Sequence, residues 1–172
     1  RAALALNDVV VTEAGFGADL GAEKFIDIKC RQTGLRPDAA VVVCTIRALK
    51  MQGGVPRSQL SVPDLAALRA GAANLERHVR NLQQFGLTPV VCINRFPDDT
   101  EEEMSLVQSI SESLGVRAVP ADHWAMGGEG ATELAQAVLD QMDEGTPEVN
   151  FLYEDSLPLA DKIRTIATRI YH

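Results

Sequence analysis

Two short apolar runs restrict this chain more than any other feature. Ala39-Ala-Val-Val-Val-Cys-Thr-Ile46 and Pro89-Val-Val-Cys-Ile-Asn94 are almost free of polar side chains. Such runs are expected of strands buried on both faces of a parallel sheet. Between them Leu65, Leu68, Ala72, Leu75, Val79 and Leu82 recur at three- and four-residue steps, the stripe of an amphipathic helix ending near Phe85 and Gly86. Ser61-Val-Pro-Asp64 reads as its start, with Ser61 as the cap. After the second run, Asp99 or Thr100 caps a helix whose stripe is Met104, Val107, Ile110 and Leu114. Ala118-Val-Pro120 ends a further short strand, and helices are expected around Leu134–Met142 and Leu159–Tyr171. Strands alternating with helices imply an α/β fold: a mostly parallel sheet with helices on both faces, joined by right-handed crossovers. At 172 residues the chain is expected to form one such domain.

Ligands in such sheets bind outside the carboxyl ends of the strands, and the residues there carry chemistry. Val9-Val-Val11 reads as another strand, followed by a glycine-rich elbow, Thr12-Glu-Ala-Gly-Phe-Gly-Ala-Asp-Leu-Gly21, and then a helix of about ten residues closed by Gly34 to Pro37. Gly15, Gly17 and Gly21 allow a tight turn and close approach to a bound group, and the helix N-terminus suits an anion. Phe16, flanked by glycines, is either a lid on the sheet or a stacking surface. Arg47 to Gly54 reads as a basic turn in which Thr45, Arg47 and Lys50 either solvate the surface or hold a phosphate or a polyanionic tail. Asn94 either opens an Asx-turn or presents donor and acceptor to a heterocycle edge. Trp124, the sole tryptophan, lies beside His123 and the loop Gly127-Gly-Glu-Gly130, as an anchor or as a stacking ring. Asp98, Asp99 and Glu101 to Glu103 read as cap and first-turn charges.

The net charge of −8 argues against nucleic acid or an anionic membrane as the main partner. Cys30, Cys44 and Cys92 lack disulfide or metal spacing, which fits a reducing, intracellular compartment, and no run is long enough to span a bilayer.

Taken together, four blocks in order are specific: Thr12 to Arg31 with Thr45-Ile-Arg-Ala-Leu-Lys-Met-Gln-Gly-Gly54, Cys92-Ile-Asn-Arg-Phe-Pro-Asp-Asp-Thr100, His123-Trp-Ala-Met-Gly-Gly-Glu-Gly130, and Lys162-Ile-Arg-Thr-Ile-Ala-Thr-Arg-Ile-Tyr171. They closely resemble the formate–tetrahydrofolate ligase family. The resemblance implies a P-loop NTPase-like half and a cytoplasmic, homo-oligomeric parent. It implies a reaction that joins formate and tetrahydrofolate at the expense of ATP through formyl phosphate. ATP with Mg, a monovalent cation and tetrahydrofolate as substrate come with it. Phe16 and Trp124 would sandwich the pterin, Phe96 and Pro97 would form apolar walls, and Gly15, Gly17, Thr45, Arg47, Lys50 and Asn94 would lie on the nucleotide and phosphate side. The resemblance designates no catalytic residue. Gln52 stands where the family's block is expected to have histidine, and glutamine cannot take up a proton there.

The sequence contains no G-x-x-x-x-G-K-[ST] phosphate cradle; the elbow lacks the Gly-Lys-Ser/Thr ending. The chain is therefore expected to be an interior-to-C-terminal piece of a longer ligase carrying its folate side. Two other readings are a non-catalytic folate-binding or assembly module and a stand-alone nucleotide-binding domain that uses Asn94 as base reader.

Overall fold

The computed structural model describes residues 2–171. Its sheet contains three parallel strands in the order β1 (Val41–Cys44), β2 (Val90–Asn94) and β3 (Ala118–Ala121). Val42 pairs with Val91, and Cys92 with Val119. Helix α1 is Ala2–Leu6. Helix α2 is a run of wide turns, Ala18–Ala22 and Phe25–Cys30, closing with Arg31–Thr33. Then come α3 (Ile46–Gln52), α4 (Leu65–Gln84), α5 (Glu101–Ser113), α6 (His123–Met126), α7 (Thr132–Asp143) and α8 (Leu159–Ile166), the last continued by a wide turn over Ala167–Tyr171.

Strand side chains alternate between two faces. Val42, Val91 and Ile93 face the main core, built with Leu68, Leu75 and Val79 of α4, Met104 and Val107 of α5, and Ile26 of α2. Val90 and Val119 face the other side, where Ala137 and Leu134 of α7 cover them. The α/β class, the parallel sheet and the helices on both faces follow the sequence pattern.

Several local expectations do not hold. Val9–Val11 is no strand; it is exposed and pairs with no other strand, and a three-residue run without a partner edge has no ladder to satisfy its backbone groups. β1 is not buried on both faces: Val43, on the α7 side, is 64% exposed. The helix after the elbow is longer than about ten residues, from Ala18 to Thr33, although it closes where expected, at Gly34, which turns left-handed at φ 70°. The stretch after β1 is a helix rather than a basic turn, since the Thr45 hydroxyl caps it by accepting from the Ala48 amide at 3.0 Å. Asp64, not Ser61, caps α4 and accepts from the Ala67 amide at 2.9 Å. Thr100 caps α5 in a capping box with Glu103.

Lys50 is the largest correction. It is wholly buried, with Nζ 2.8 Å from Glu103 Oε1 and donating to the Val62 carbonyl at 3.0 Å. It is therefore not presented to a ligand. A lysine reaches this depth only when its charge is matched, and Glu103 is also wholly buried. Glu103 accepts in addition from the Asp64 amide at 3.2 Å and the Thr100 amide at 3.1 Å, so one ion pair joins α3, the start of α4 and the start of α5. Burial works to raise the Glu103 pKa, but Lys50 and these donors outweigh it and hold it below its ordinary 4.5. The backbones of α3 and α4 touch nearby. A Cβ on Gly71 would overlap the Leu49 carbonyl, and one on Gly53 the Ala67 carbonyl, so the two helices cross in direct backbone contact at these glycines.

Removing one partner of a buried pair strands the other charge. Lys50→Met is expected to cost about 3–5 kcal/mol in urea unfolding, and Lys50→Met/Glu103→Gln to regain part of it, because glutamine is neutral and its one acceptor oxygen keeps the Thr100 amide capped while losing the Asp64 amide. An equal loss in both would place the cost in packing. Since its folded pKa is depressed, Glu103 stabilises the fold above 4.5, and that stabilisation disappears as pH falls through the lower folded value. Glu103→Gln is expected to flatten the acid limb of the stability profile.

Candidate functional site at the carboxyl ends of the strands

β1 and β2 end side by side, and the residues that follow them interlock. Arg47, in the first turn of α3, donates from Nη2 to Asp98 Oδ2 at 2.7 Å and lies over the Phe96 ring with its guanidinium carbon 4.4 Å from the centroid. The Arg47 Nε–H is buried without a partner, as is Asn94 Oδ1 at the tip of β2. A free donor and a free acceptor at two strand ends, beside an aromatic ring capped by a cation, can meet the edge and face of a polar heterocycle. The turn carrying them is closed by Asp99, whose Oδ2 accepts from the Phe96 amide at 2.8 Å while its own amide donates to the Phe96 carbonyl at 3.0 Å. Burial, with the Glu103 charge adding, pushes the Asp99 carboxyl up; the Phe96 amide, Lys50 and Arg47 oppose it. Asn94 makes no Asx-turn. The loop is closed from its far end instead, by Asp99 reaching back to the Phe96 amide.

The elbow is built differently from the sequence expectation. The left-handed residue is Phe16, at φ 70°, and none of the elbow glycines. The glycines serve close approach instead: a Cβ on Gly21 would overlap the carbonyls of Ala14 and Gly15, and one on Gly17 would meet Asp19 and the His78 ring. His78 of α4 thus braces the elbow, its Nδ1 3.9 Å from Asp19 Oδ1. Burial lowers the His78 pKa, with Asp19 opposing. The first turn of α2 already carries a carboxylate, Asp19, where an anion was expected. Phe16 projects from this frame 88% exposed.

At the end of β3, the Asp122 amide donates to the Gly130 carbonyl at 2.9 Å and folds the glycine loop back on itself. Trp124 stands on α6 within that loop, 77% exposed. Thr45, Arg47, Asn94, Phe96 and Pro97 thus share one region, whereas Phe16 and Trp124 project from separate loops with no ring contact between them among the described residues. Lys50 belongs to the scaffold. Sequence reasoning missed Asp98, Asp99 and His78 as positioning groups; Asp99 bonds backward to the Phe96 amide, opposite to the forward bond of an Asx-turn, and no local spacing signals it. Burial disfavours the thiolate of each cysteine: burial and neighbouring Cys92 push the Cys44 thiol up to about 12, and burial raises Cys30 and Cys92. Among the described residues no three His, Cys, Asp or Glu converge to hold a metal ion.

The family model for formate–tetrahydrofolate ligase matches residues 1–172. The chain is similar to formate–tetrahydrofolate ligases of Paracoccus denitrificans, at 58% identity over 171 residues, and of Maricaulis maris, at 57% over 169. It is also 55% identical over 171 residues to the formate–tetrahydrofolate ligase of a Sphingobium species. These alignments cover 98–99% of this chain and 30–31% of the relatives, so the chain spans about three-tenths of their length.

The elbow geometry makes a contrast between two glycines. Gly21→Ala is expected to lower stability by about 1–3 kcal/mol, because the added methyl meets backbone carbonyls that cannot yield without moving the elbow. Gly15→Ala meets open space and is expected to change stability by less than about 1 kcal/mol. Urea unfolding of the two variants measures the difference; equal effects would contradict the crossing at Gly21.

Proposed function

The chain belongs to the formate–tetrahydrofolate ligase family, and on that premise we propose that it forms the folate side of an ATP-dependent ligase converting formate and tetrahydrofolate to 10-formyltetrahydrofolate. The observation that carries the reading is Phe16: a non-glycine residue held left-handed with its ring turned out to solvent. Backbone strain of this kind costs about 1–3 kcal/mol and persists only where the surroundings enforce it, commonly at ligand clamps. Phe16 and Trp124 are the proposed faces for the flat pterin, which gains from offset stacking in addition to burial. Phe96 and Pro97 supply apolar walls. Arg47 and Asn94, with one unpartnered donor and one unpartnered acceptor, and Thr45, Gly15 and Gly17 line the side towards the nucleotide.

The residues present do not fit the phosphates of ATP. No Gly-Lys-Ser/Thr cradle occurs in the sequence, and Lys50, the cation nearest in role, is committed to Glu103. The phosphoryl chemistry, with Mg, a monovalent cation and formyl phosphate, is accordingly assigned to the longer protein. What this chain contributes is binding and orientation of the folate and exclusion of water from one of its faces. A cytoplasmic location and a homo-oligomeric parent belong to the same proposal; no described helix is long and apolar enough to cross a membrane.

Trp124 is the sole tryptophan, so its fluorescence reports on one place. Titration with tetrahydrofolate is expected to quench it saturably. Phe16→Ala is expected to weaken binding about ten- to a hundredfold, the equivalent of burying one phenylalanine at about 1.5–3 kcal/mol. Unchanged affinity in Phe16→Ala, with the fold intact by circular dichroism, would sink the stacking assignment.

A further inference from the structure

A cluster remote from the strand ends joins the middle of α2 to residues 149–155. Glu23 and Asp27 lie one turn apart on α2 and are 7% and 2% exposed. Asp27 Oδ1 accepts from the Leu152 amide at 3.0 Å and from Arg31 Nη2 at 3.3 Å. Arg31 extends the clasp: it donates to the Tyr153 carbonyl at 2.6 Å, pairs with Asp155 at 3.1 Å, and lies over the rings of Phe151 and Tyr153. Asp27 Oδ2 is buried, and no amide, hydroxyl or basic group of the described residues donates to it. One turn earlier on the same helix, and nearly as deeply buried, stands the Glu23 carboxyl. Two buried carboxylates one helical turn apart, with the Arg31 guanidinium already committed to Asp27 and Asp155, favour a state in which one of them holds a proton.

We propose that Glu23 and Asp27 share one proton and act as a latch that closes residues 149–155 onto α2, and that loss of this proton loosens the segment. The titratable and charged groups facing the pair are Arg31 and Asp19 of α2, Tyr153 and Asp155 of the clasped segment, and Tyr171 from the chain's last turn. Arg31 is the cation among them. Burial first, then the Asp27 charge and hydrogen bond, raise the Glu23 carboxyl to about 7; burial raises Asp27 against the Leu152 amide and Arg31. For an acid whose folded pKa is raised, the stabilisation is complete below its ordinary 4.5 and is lost as pH rises through about 7. The latch therefore loosens as pH rises from about 4.5 to about 7 and is fully loosened just above neutrality. The same helix starts at the elbow, so the latch also steadies the base from which Phe16 projects.

Hydrogen exchange at the Leu152 amide, corrected for intrinsic rate, tests this directly. In the unmodified chain its protection is expected to fall about tenfold between about pH 6 and about pH 8, as the linkage between 4.5 and about 7 dictates. Glu23→Gln, which keeps a donor for Asp27 and cannot ionise, is expected to keep its protection constant over that range. A flat profile in the unmodified chain, or the same tenfold fall in Glu23→Gln, overturns the latch. Should that variant not fold, a carboxyl carbon NMR titration of Glu23 in the unmodified chain decides: a midpoint near neutrality supports the shared proton, and one near 4.5 overturns it.

Discussion

The buried pair Lys50–Glu103 is the interaction on which the ligand-facing end of this fold depends. Its 2.8 Å contact lies where α3, α4 and α5 begin or end, and its remaining hydrogen-bonding capacity goes to the backbone of Val62, Asp64 and Thr100. A buried charge pair adds little net stability compared with apolar packing, but it punishes misplacement, because either charge alone is very costly inside a protein. The consequence is positional. With Glu103 fixed, the capping box at Thr100 is fixed, and the Asn94–Asp99 turn is held between β2 and that cap. With Lys50 fixed, α3 is fixed, and Arg47 one turn earlier meets Phe96 and Asp98. The residues nearest the proposed ligand are held by groups that never touch it.

Much of the fold was legible because two periodicities are strong in this chain. The stripes in α4 and α5 became their buried faces, and the two apolar runs became β1 and β2. What escaped depends on partners that are distant in sequence. Nothing local distinguishes Val9–Val11, which remains unpaired, from Ala118–Ala121, which pairs with β2 despite Pro120, tolerable on an edge strand. Lys50 carries the same local signature as a surface cation. Only the arrival of Glu103, fifty-three residues later, turns it into a core residue.

The candidate site was legible in its residue types and less so in their roles. Aromatic rings in glycine-flanked loops drew attention to Phe16 and Trp124, and both are exposed. The conformational strain, expected at the glycines, falls on Phe16 itself; Gly17 and Gly21 are small because backbone and His78 press against them. Asn94 and Arg47 retain unpartnered polar atoms, while Asp98 and Asp99, read as simple caps, hold the ring and the turn in place.

Two loops far apart in sequence, around Phe16 and Trp124, are proposed to supply the two faces of one flat ligand. The most direct measurement is a crystal structure of this chain, or of the longer ligase, with tetrahydrofolate bound. The account predicts the pterin between the rings of Phe16 and Trp124, with Phe96 against its side. A pterin bound elsewhere, or stacked on neither ring, would contradict it.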